Sequence, residues 1–275
     1  MRKTEVIAIC NQKGGVGKTT STVNLGIGLV KKGKKVLLID ADPQGDLTTS
    51  LGYNDPDSLN NTLSELLMKI IYETPISEKE GVLSHNEGVD FIPSNLSLSA
   101  MEMNLVNTMN REQILNKLIA NYKNDYDYVL IDCMPSLGMV TVNALTAANK
   151  VIIPVQAHYL PAKGMTQLMQ TIGRVKRNTN PDIMIAGIVL TLVDHRTNHA
   201  KEVKEIIKNT YGNHIKIFES SIPIGIKAAE VSARGKSIFE YDPNGKVAKA
   251  YEDLTKEVLE YGQKQRSELY PSIDR

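Results

Sequence analysis

The 275-residue chain has no tryptophan, three phenylalanines and only two cysteines. A core built without large aromatics has to be filled by aliphatic side chains, as in a parallel sheet covered by helices on both faces. Cys10 and Cys133 are too few for a disulfide framework or a four-ligand zinc site, and their apolar settings read as small buried hydrophobes in a reducing, cytoplasmic protein. An excess of one charge is also missing: 32 Lys and Arg stand against 31 Asp and Glu, a formal net charge of +1. Bulk composition therefore does not point to a nucleic acid, and any DNA contact has to come from a local cluster. No apolar run is long enough for a membrane, since Ile183 to Val193 is about half a span. The basic start at Arg2-Lys3 precedes too short an apolar stretch for a signal peptide. With 41% hydrophobic and 23% charged residues, the chain buries a substantial core and is neither disordered nor fibrous.

Runs rich in Val and Ile predict buried strands at Val6 to Cys10, Val36 to Ile39, Val89 to Ile92, Tyr128 to Ile131, Val151 to Val155, Ile185 to Leu192 and Ile215 to Phe218. Between them, apolar residues three and four apart predict helices at Lys18 to Lys32, Leu63 to Ile71, Arg111 to Asn121, Met165 to Arg177, Ala200 to Asn209 and Lys246 to Tyr261. Alternating strands and helices imply right-handed crossovers and an α/β fold with one mostly parallel central sheet and helices on both faces. No repeat and no Pro, Gly or Ser linker divides the chain, so a single domain is expected over 1–262, with a polar, frayed tail over 263–275. The polar stretch Asp55 to Gly88 reads as an excursion at the sheet edge.

The strongest chemical signal is Asn11-Gln12-Lys13-Gly14-Gly15-Val16-Gly17-Lys18-Thr19-Thr20, placed after the first strand and opening the first long helix. Glycines let the loop curl with its N–H groups inward, and the helix N-terminus adds partial positive charge, so a polyphosphate meets donors already arranged. Lys18 would supply a point charge to the β and γ phosphates, and Thr19 a hydroxyl to Mg²⁺. The stricter P-loop pattern asks for glycine where Gln12 stands, and a second lysine, Lys13, begins the loop. A glycine-rich turn that binds nothing is the plain alternative; the order strand, loop, Lys-Thr and helix argues against it. Asp40 and Asp42 follow the second strand and Asp132 follows a later one, where ligands of open α/β sheets bind. Asp132 suits a partner of Mg²⁺ through water, and Asp42 an orienter of the attacking water. Each aspartate alone reads better as the cap of a turn, and together with the phosphate loop they become a constellation.

These residues resemble the ParA/Soj family of partition ATPases, within the deviant Walker A class of P-loop NTPase-like folds. Asn11 to Thr20 and Asp40-Ala-Asp-Pro-Gln-Gly45 carry the likeness most specifically, and it extends through Tyr128 to Leu137, Val151 to Gln156, Leu190 to Thr197, Ile222 to Glu230 and Glu240 to Tyr251. The resemblance implies ATP and Mg²⁺ as cofactors and an ATP-sandwich homodimer in which Lys13 reaches the partner's nucleotide. It implies that Asp42 is needed for hydrolysis, that Asp40 and Asp132 support the metal, that Pro135-Ser136 begins the γ-phosphate-sensing segment, and that Asp194 and Pro223 lie near the adenine. The chain departs from the family at Met134, where proline is usual, at Lys163, where glutamate is common, and at Ile224-Gly225, where Arg-Asn is usual.

The family binds double-stranded DNA without sequence preference in the ATP state, associates with the nucleoid and is stimulated by a ParB-like centromere-binding protein. Lys201, Lys204 and Lys208 at helical spacing, with Lys227, Arg234 and Lys236, are the expected phosphate contacts. A solvated charged face is the plain alternative for each. The cluster is favoured because eight positive residues face four negative ones between Ala157 and Gly212. No helix-turn-helix segment is read ahead of the phosphate loop, so operator binding is not expected. A MinD-like membrane cycle would need an amphipathic basic helix that the tail with Pro271 lacks. An iron–sulfur dimer would need two exposed cysteines per subunit, and a tyrosine kinase a tyrosine-rich tail. An ATP-dependent metabolic enzyme on the same fold stays the alternative from another class.

Overall fold

The computed structural model describes residues 4–157, 162–194 and 196–269. In chain order the elements are β1 (Glu5–Ile9), α1 (Lys18–Lys31), β2 (Val36–Ala41), α2 (Asp46–Ser50), α3 (Leu63–Ile71), β3 (Leu83–Ser84), β4 (Asp90–Ile92), α4 (Leu98–Val106), α5 (Ile114–Ala120) and β5 (Tyr128–Cys133). Then come α6 (Met139–Ala147), β6 (Lys150–Gln156), α7 (Ala162–Asn178), β7 (Met184–Val193), α8 (Asn198–Tyr211), β8 (Ile217–Pro223), α9 (Ile226–Glu230), α10 (Ile238–Tyr241) and α11 (Lys246–Leu269). The strands form one sheet in the order β3-β4-β2-β5-β1-β6-β7-β8. All neighbours run parallel except β3, which lies antiparallel on β4 at the edge.

Successive strand residues point to opposite faces, and both faces are apolar. Val6, Ala8 and Cys10 turn toward a cluster that also takes Leu66 of α3, Leu105 of α4, Leu118 of α5, Ala144 of α6, Leu168 of α7 and Val203 of α8. Ile7 and Ile9 turn the other way, onto Leu25 and Leu29 of α1, Leu47 of α2 and Tyr251 and Leu254 of α11. This two-sided burial explains why the strands read as continuous Val and Ile runs rather than alternating ones.

Three expectations shift. The last strand is Ile217–Pro223 rather than 215–218: as the edge strand it buries Phe218 and Ile222 while polar Glu219 is exposed, which hides it from an apolar-run criterion. The helix expected from Arg111 opens with a 3₁₀ turn at Arg111–Gln113 before α5. The frayed tail expected from 263 instead continues α11 through Leu269, and 270–275 lie outside the described residues. No helix among the described residues is long and apolar enough to cross a membrane.

Helix α1 has to lie close to both β2 and α11, and two glycines permit it. A Cβ on Gly26 would sit 2.6 Å from Leu38 Cδ2, and one on Gly28 would collide with Thr255 Oγ1. Gly28→Val is therefore expected to lower the unfolding free energy by about 1–3 kcal/mol through overpacking, measured by urea denaturation; an unchanged midpoint and slope would show that α11 can move aside freely.

Candidate nucleotide site

The loop after β1 is tied down before it curls. Cys10 N donates to Ile152 O at 3.1 Å, Asn11 Nδ2 to Pro154 O at 2.7 Å, and Lys13 N to Asn11 Oδ1 at 3.0 Å. Gly15 (φ 70°) and Gly17 (φ 80°) adopt left-handed backbone, where a Cβ is strained. Gly17 caps α1 with no side-chain hydrogen bond, so the first-turn amides keep their capacity for an anion. Thr191 Oγ1 donates to Val16 O at 2.8 Å, anchoring the loop to β7. Lys18 is buried, with Nζ donating to Lys13 O at 3.2 Å.

Beside the loop, Asp132 ends β5 with 1% exposure. Its Oδ2 accepts from Thr19 Oγ1 at 2.7 Å and its Oδ1 from Thr22 Oγ1 at 3.2 Å. Burial, and then the charge of Asp40 on the adjacent strand, push its pKa up to about 8. A carboxylate so placed welcomes positive charge. Among the described residues no group of three His, Cys, Asp or Glu could hold a metal ion alone. The donor set suits Mg²⁺ brought in with a phosphate chain: Thr19 would take a coordination position and Asp132 would stand behind it. Asp42 lines the same cleft; its Oδ1 accepts from Gln44 N at 3.0 Å, and burial is the main cause of its raised pKa.

These groups open on a cleft of 610 Å³ at the carboxyl ends of the strands, where the parallel-sheet rule puts ligands. Gly14, Gly15, Gly17, Lys18, Thr19 and Thr20 form one end with Asp42 and Pro135. Pro223, Gly225, Ala228 and Ser232 form the other. Val16 faces the core instead, at 1% exposure. Lys13 is exposed and outside this lining; its Nζ donates to Gln156 Oε1 at 3.2 Å, at the end of β6.

The pattern of an AAA domain matches residues 4–185. The sporulation initiation inhibitor protein Soj of Bacillus subtilis (strain 168) is 40% identical over 262 residues, which are 94% of this chain and 99% of that protein. The chromosome partitioning protein ParA of Caulobacter vibrioides is 40% identical over 256 residues, 92% of this chain and 93% of that one. The chain belongs to the ParA/Soj family. Among solved structures, a cobyrinic acid a,c-diamide synthase from Mycobacterium smegmatis with bound ADP and magnesium is similar at 35% identity and TM-score 0.83, covering 96% of this chain and 97% of that one.

Not every residue that the ParA/Soj likeness nominates sits where expected. Asp40 is fully buried behind the cleft, with Oδ2 accepting from Thr48 N at 2.9 Å and Thr48 Oγ1 at 2.7 Å, and Oδ1 from Asp42 N at 3.3 Å. It anchors α2 and the Asp42 turn. Asp194 does not line the cleft; Arg196 engages it through Nε on Oδ1 and Nη2 on Oδ2, both at 2.9 Å. Pro223 does line it, and so does Gly225, which replaces a bulkier family residue.

The basic candidates sit on different elements. Helix α8 packs on one face of the sheet through Val203 and Ile207, whereas α9 lies on the other through Ala228. Lys204 pairs with Glu219 at 3.9 Å, Lys227 with Asp242 at 2.9 Å and Lys236 with Glu240 at 2.7 Å. Lys208 and Arg234 are exposed and have no ion pair among the described residues. The side chains of Lys163 and Lys201 lie outside what the structure describes.

Thr22, Thr48 and Thr191 are the site residues that sequence reading missed. Thr22 carried a signal, one helical turn beyond Thr19 and thus on the same face. Nothing local marked Thr48 or Thr191, whose partners are on other elements. Leu192, a cleft residue with φ 51°, adds strain at an irregular point in the β7–β8 pairing.

Asp132 also sets a pH dependence. A carboxyl whose pKa stands above its ordinary 3.8 in the folded state holds more protons there than in the unfolded chain, so nucleotide-free protein loses stability as pH rises toward about 8. Asp132→Asn removes that share. The thermal midpoint should fall less from about pH 5 to about pH 8 in the variant than in the parent; equal falls would remove Asp132 as the source.

Proposed function

We propose that this chain is a DNA-partition ATPase that hydrolyses ATP to ADP and phosphate, closes into a homodimer around ATP, holds non-specific DNA in that state and releases it after hydrolysis stimulated by a ParB-like partner. The observation that carries the reading is the division between two lysines of one loop. Lys18 lines the cleft, while Lys13 bonds Gln156 on its outer side. Its exposure outside the lining supports a role toward a second subunit. The family's partition members support the DNA and partner roles.

In the proposed reaction the loop amides and Lys18 hold the β and γ phosphates, with ribose and base directed toward Pro223 and Gly225. Thr19 and Asp132 would hold Mg²⁺, which neutralises charge on the phosphate oxygens. Asp42 orients the attacking water for in-line displacement at the γ phosphorus, and the β–γ bridging bond breaks. Lys13 of the second subunit stabilises charge in the transition state, a contribution worth about 10³ to 10⁵ in rate when supplied in trans. Burial that raises the Asp42 pKa makes it a better proton acceptor near neutral pH.

Two measurements test this. Lys18→Ala should abolish nucleotide binding, whereas Lys13→Ala should retain it and lose turnover by roughly 10³-fold or more; equal loss of binding in both would sink the in-trans assignment. For the DNA role, Asp42→Ala protein is titrated into a labelled random-sequence duplex with Mg²⁺ and either ATP or ADP, at two salt concentrations, and followed by anisotropy. Binding that needs ATP and weakens with salt is expected. A folded, ATP-binding protein that ignores the duplex would instead favour a MinD-like or other cargo-positioning ATPase of the same fold, or a metabolic one.

A further inference from the structure

The chain leaves β5 after Asp132 and Cys133, runs along the cleft wall at Pro135 and enters α6. The segment is tightly turned: Ser136 N donates to Met134 O at 2.8 Å, Gly138 N to Ser136 Oγ at 3.3 Å and Thr141 Oγ1 to Ser136 O at 3.0 Å. Its far end is fixed by a residue from a distant element that the reaction does not use. Glu102 of α4 accepts from Met139 N through Oε2 and from Val140 N through Oε1, both at 2.9 Å. These are the opening amides of α6, whose cap, Gly138, makes no side-chain hydrogen bond. A carboxylate there meets both unpaired donors and the positive end of the helix dipole.

Gly138 gives independent support. Its backbone, at φ −71° and ψ −173°, is one that any residue adopts, so conformation does not explain the glycine. Space does: a Cβ would lie 2.6 Å from Glu102 Oε1 and 2.7 Å from Oε2. The missing side chain is what lets the carboxylate seat on the helix end.

We propose that Glu102 is a positioning residue for the terminal phosphate. By clamping the start of α6 it holds Pro135-Ser136 at the height where a γ phosphate reaches them, so the clamp distinguishes triphosphate from diphosphate while contacting neither. The inference rests on the ATPase reading above and on the role that the family resemblance implies for Pro135-Ser136, the start of the γ-phosphate-sensing segment. The loop on α1, which serves diphosphate and triphosphate alike, makes no contact with Glu102.

The test is the affinity of the purified protein for ADP and for a non-hydrolysable ATP analogue, each with Mg²⁺, in the parent, Glu102→Gln, Glu102→Ala, Gly138→Ala and the Glu102→Ala/Gly138→Ala double variant. Glu102→Ala should weaken the analogue roughly 2- to 30-fold, the range for coupling through a packed neighbour, and leave ADP unchanged. Glu102→Gln, which keeps one acceptor, should fall between. Gly138→Ala should reproduce the loss by displacing the carboxylate, and should add nothing once Glu102 is gone, the non-additivity expected of one shared contact. A purely structural cap would lower the melting temperature and leave the preference for triphosphate unchanged, which overturns the proposal, as would equal weakening of both nucleotides. A parent protein that binds neither nucleotide overturns the ATPase reading itself.

Discussion

The contact between the Thr19 hydroxyl and the Asp132 carboxylate joins the two halves of the site. It ties the first turn of α1, which carries the phosphate-loop amides and Lys18, to the end of β5, from which the cleft wall departs. Thr22 reinforces it one turn along the same helix. The contact is costly in the empty protein: Asp132 is buried beside Asp40, and two neighbouring buried carboxyls resist ionising together. A cation arriving with a phosphate chain relieves that cost, so ligand binding and local order are linked through one pair of side chains.

In the proposed reaction, holding and sensing fall to different parts of the fold. The loop on α1 offers phosphates backbone amides that cannot be mutated away. The groups proposed to meet the attacking water and the γ phosphate hang from longer connections: Asp42 sits on a turn stapled by Asp40 to Thr48 of α2, and Pro135 on a segment clamped at α6 by Glu102 of α4. Both staples use a carboxylate from one element to fix the start of another. The central sheet supplies the rigidity on which such small displacements register, since its two faces are packed by aliphatic side chains throughout.

The phosphate loop was legible because its chemistry is local: glycines, Lys18 and Thr19 lie within a few residues, and strand and helix flank them. The strands were legible for a related reason, since burial on both faces leaves unbroken Val and Ile runs. Contacts between remote residues were not. The resemblance nominated Asp40 for the metal, and only the structure shows that its oxygens also anchor α2 through Thr48. The resemblance nominated Asp194 for the adenine, and only the structure shows its pairing with Arg196. Nor could the chain show that the helix before the edge strand β8, which carries Lys204 and Lys208, and the helix after it, which carries Lys227, pack on opposite faces of the sheet. Glu102 had no signal at all, being an ordinary acidic residue on a helix until its target is placed.

The central claim is that each site is completed by a lysine from a second subunit, and complementation tests it most directly. Asp42→Ala and Lys13→Ala proteins, each inactive alone, are mixed in equal amounts with ATP and Mg²⁺, and phosphate release is followed. In a mixed dimer the Lys13→Ala subunit keeps its own Asp42 and receives an intact Lys13, so one of two sites is whole; with random pairing the mixture should reach about a quarter of the parent rate. Activity no greater than the sum of the separate variants, with mixed dimers shown to form, would contradict the account and return Lys13 to its own subunit's site.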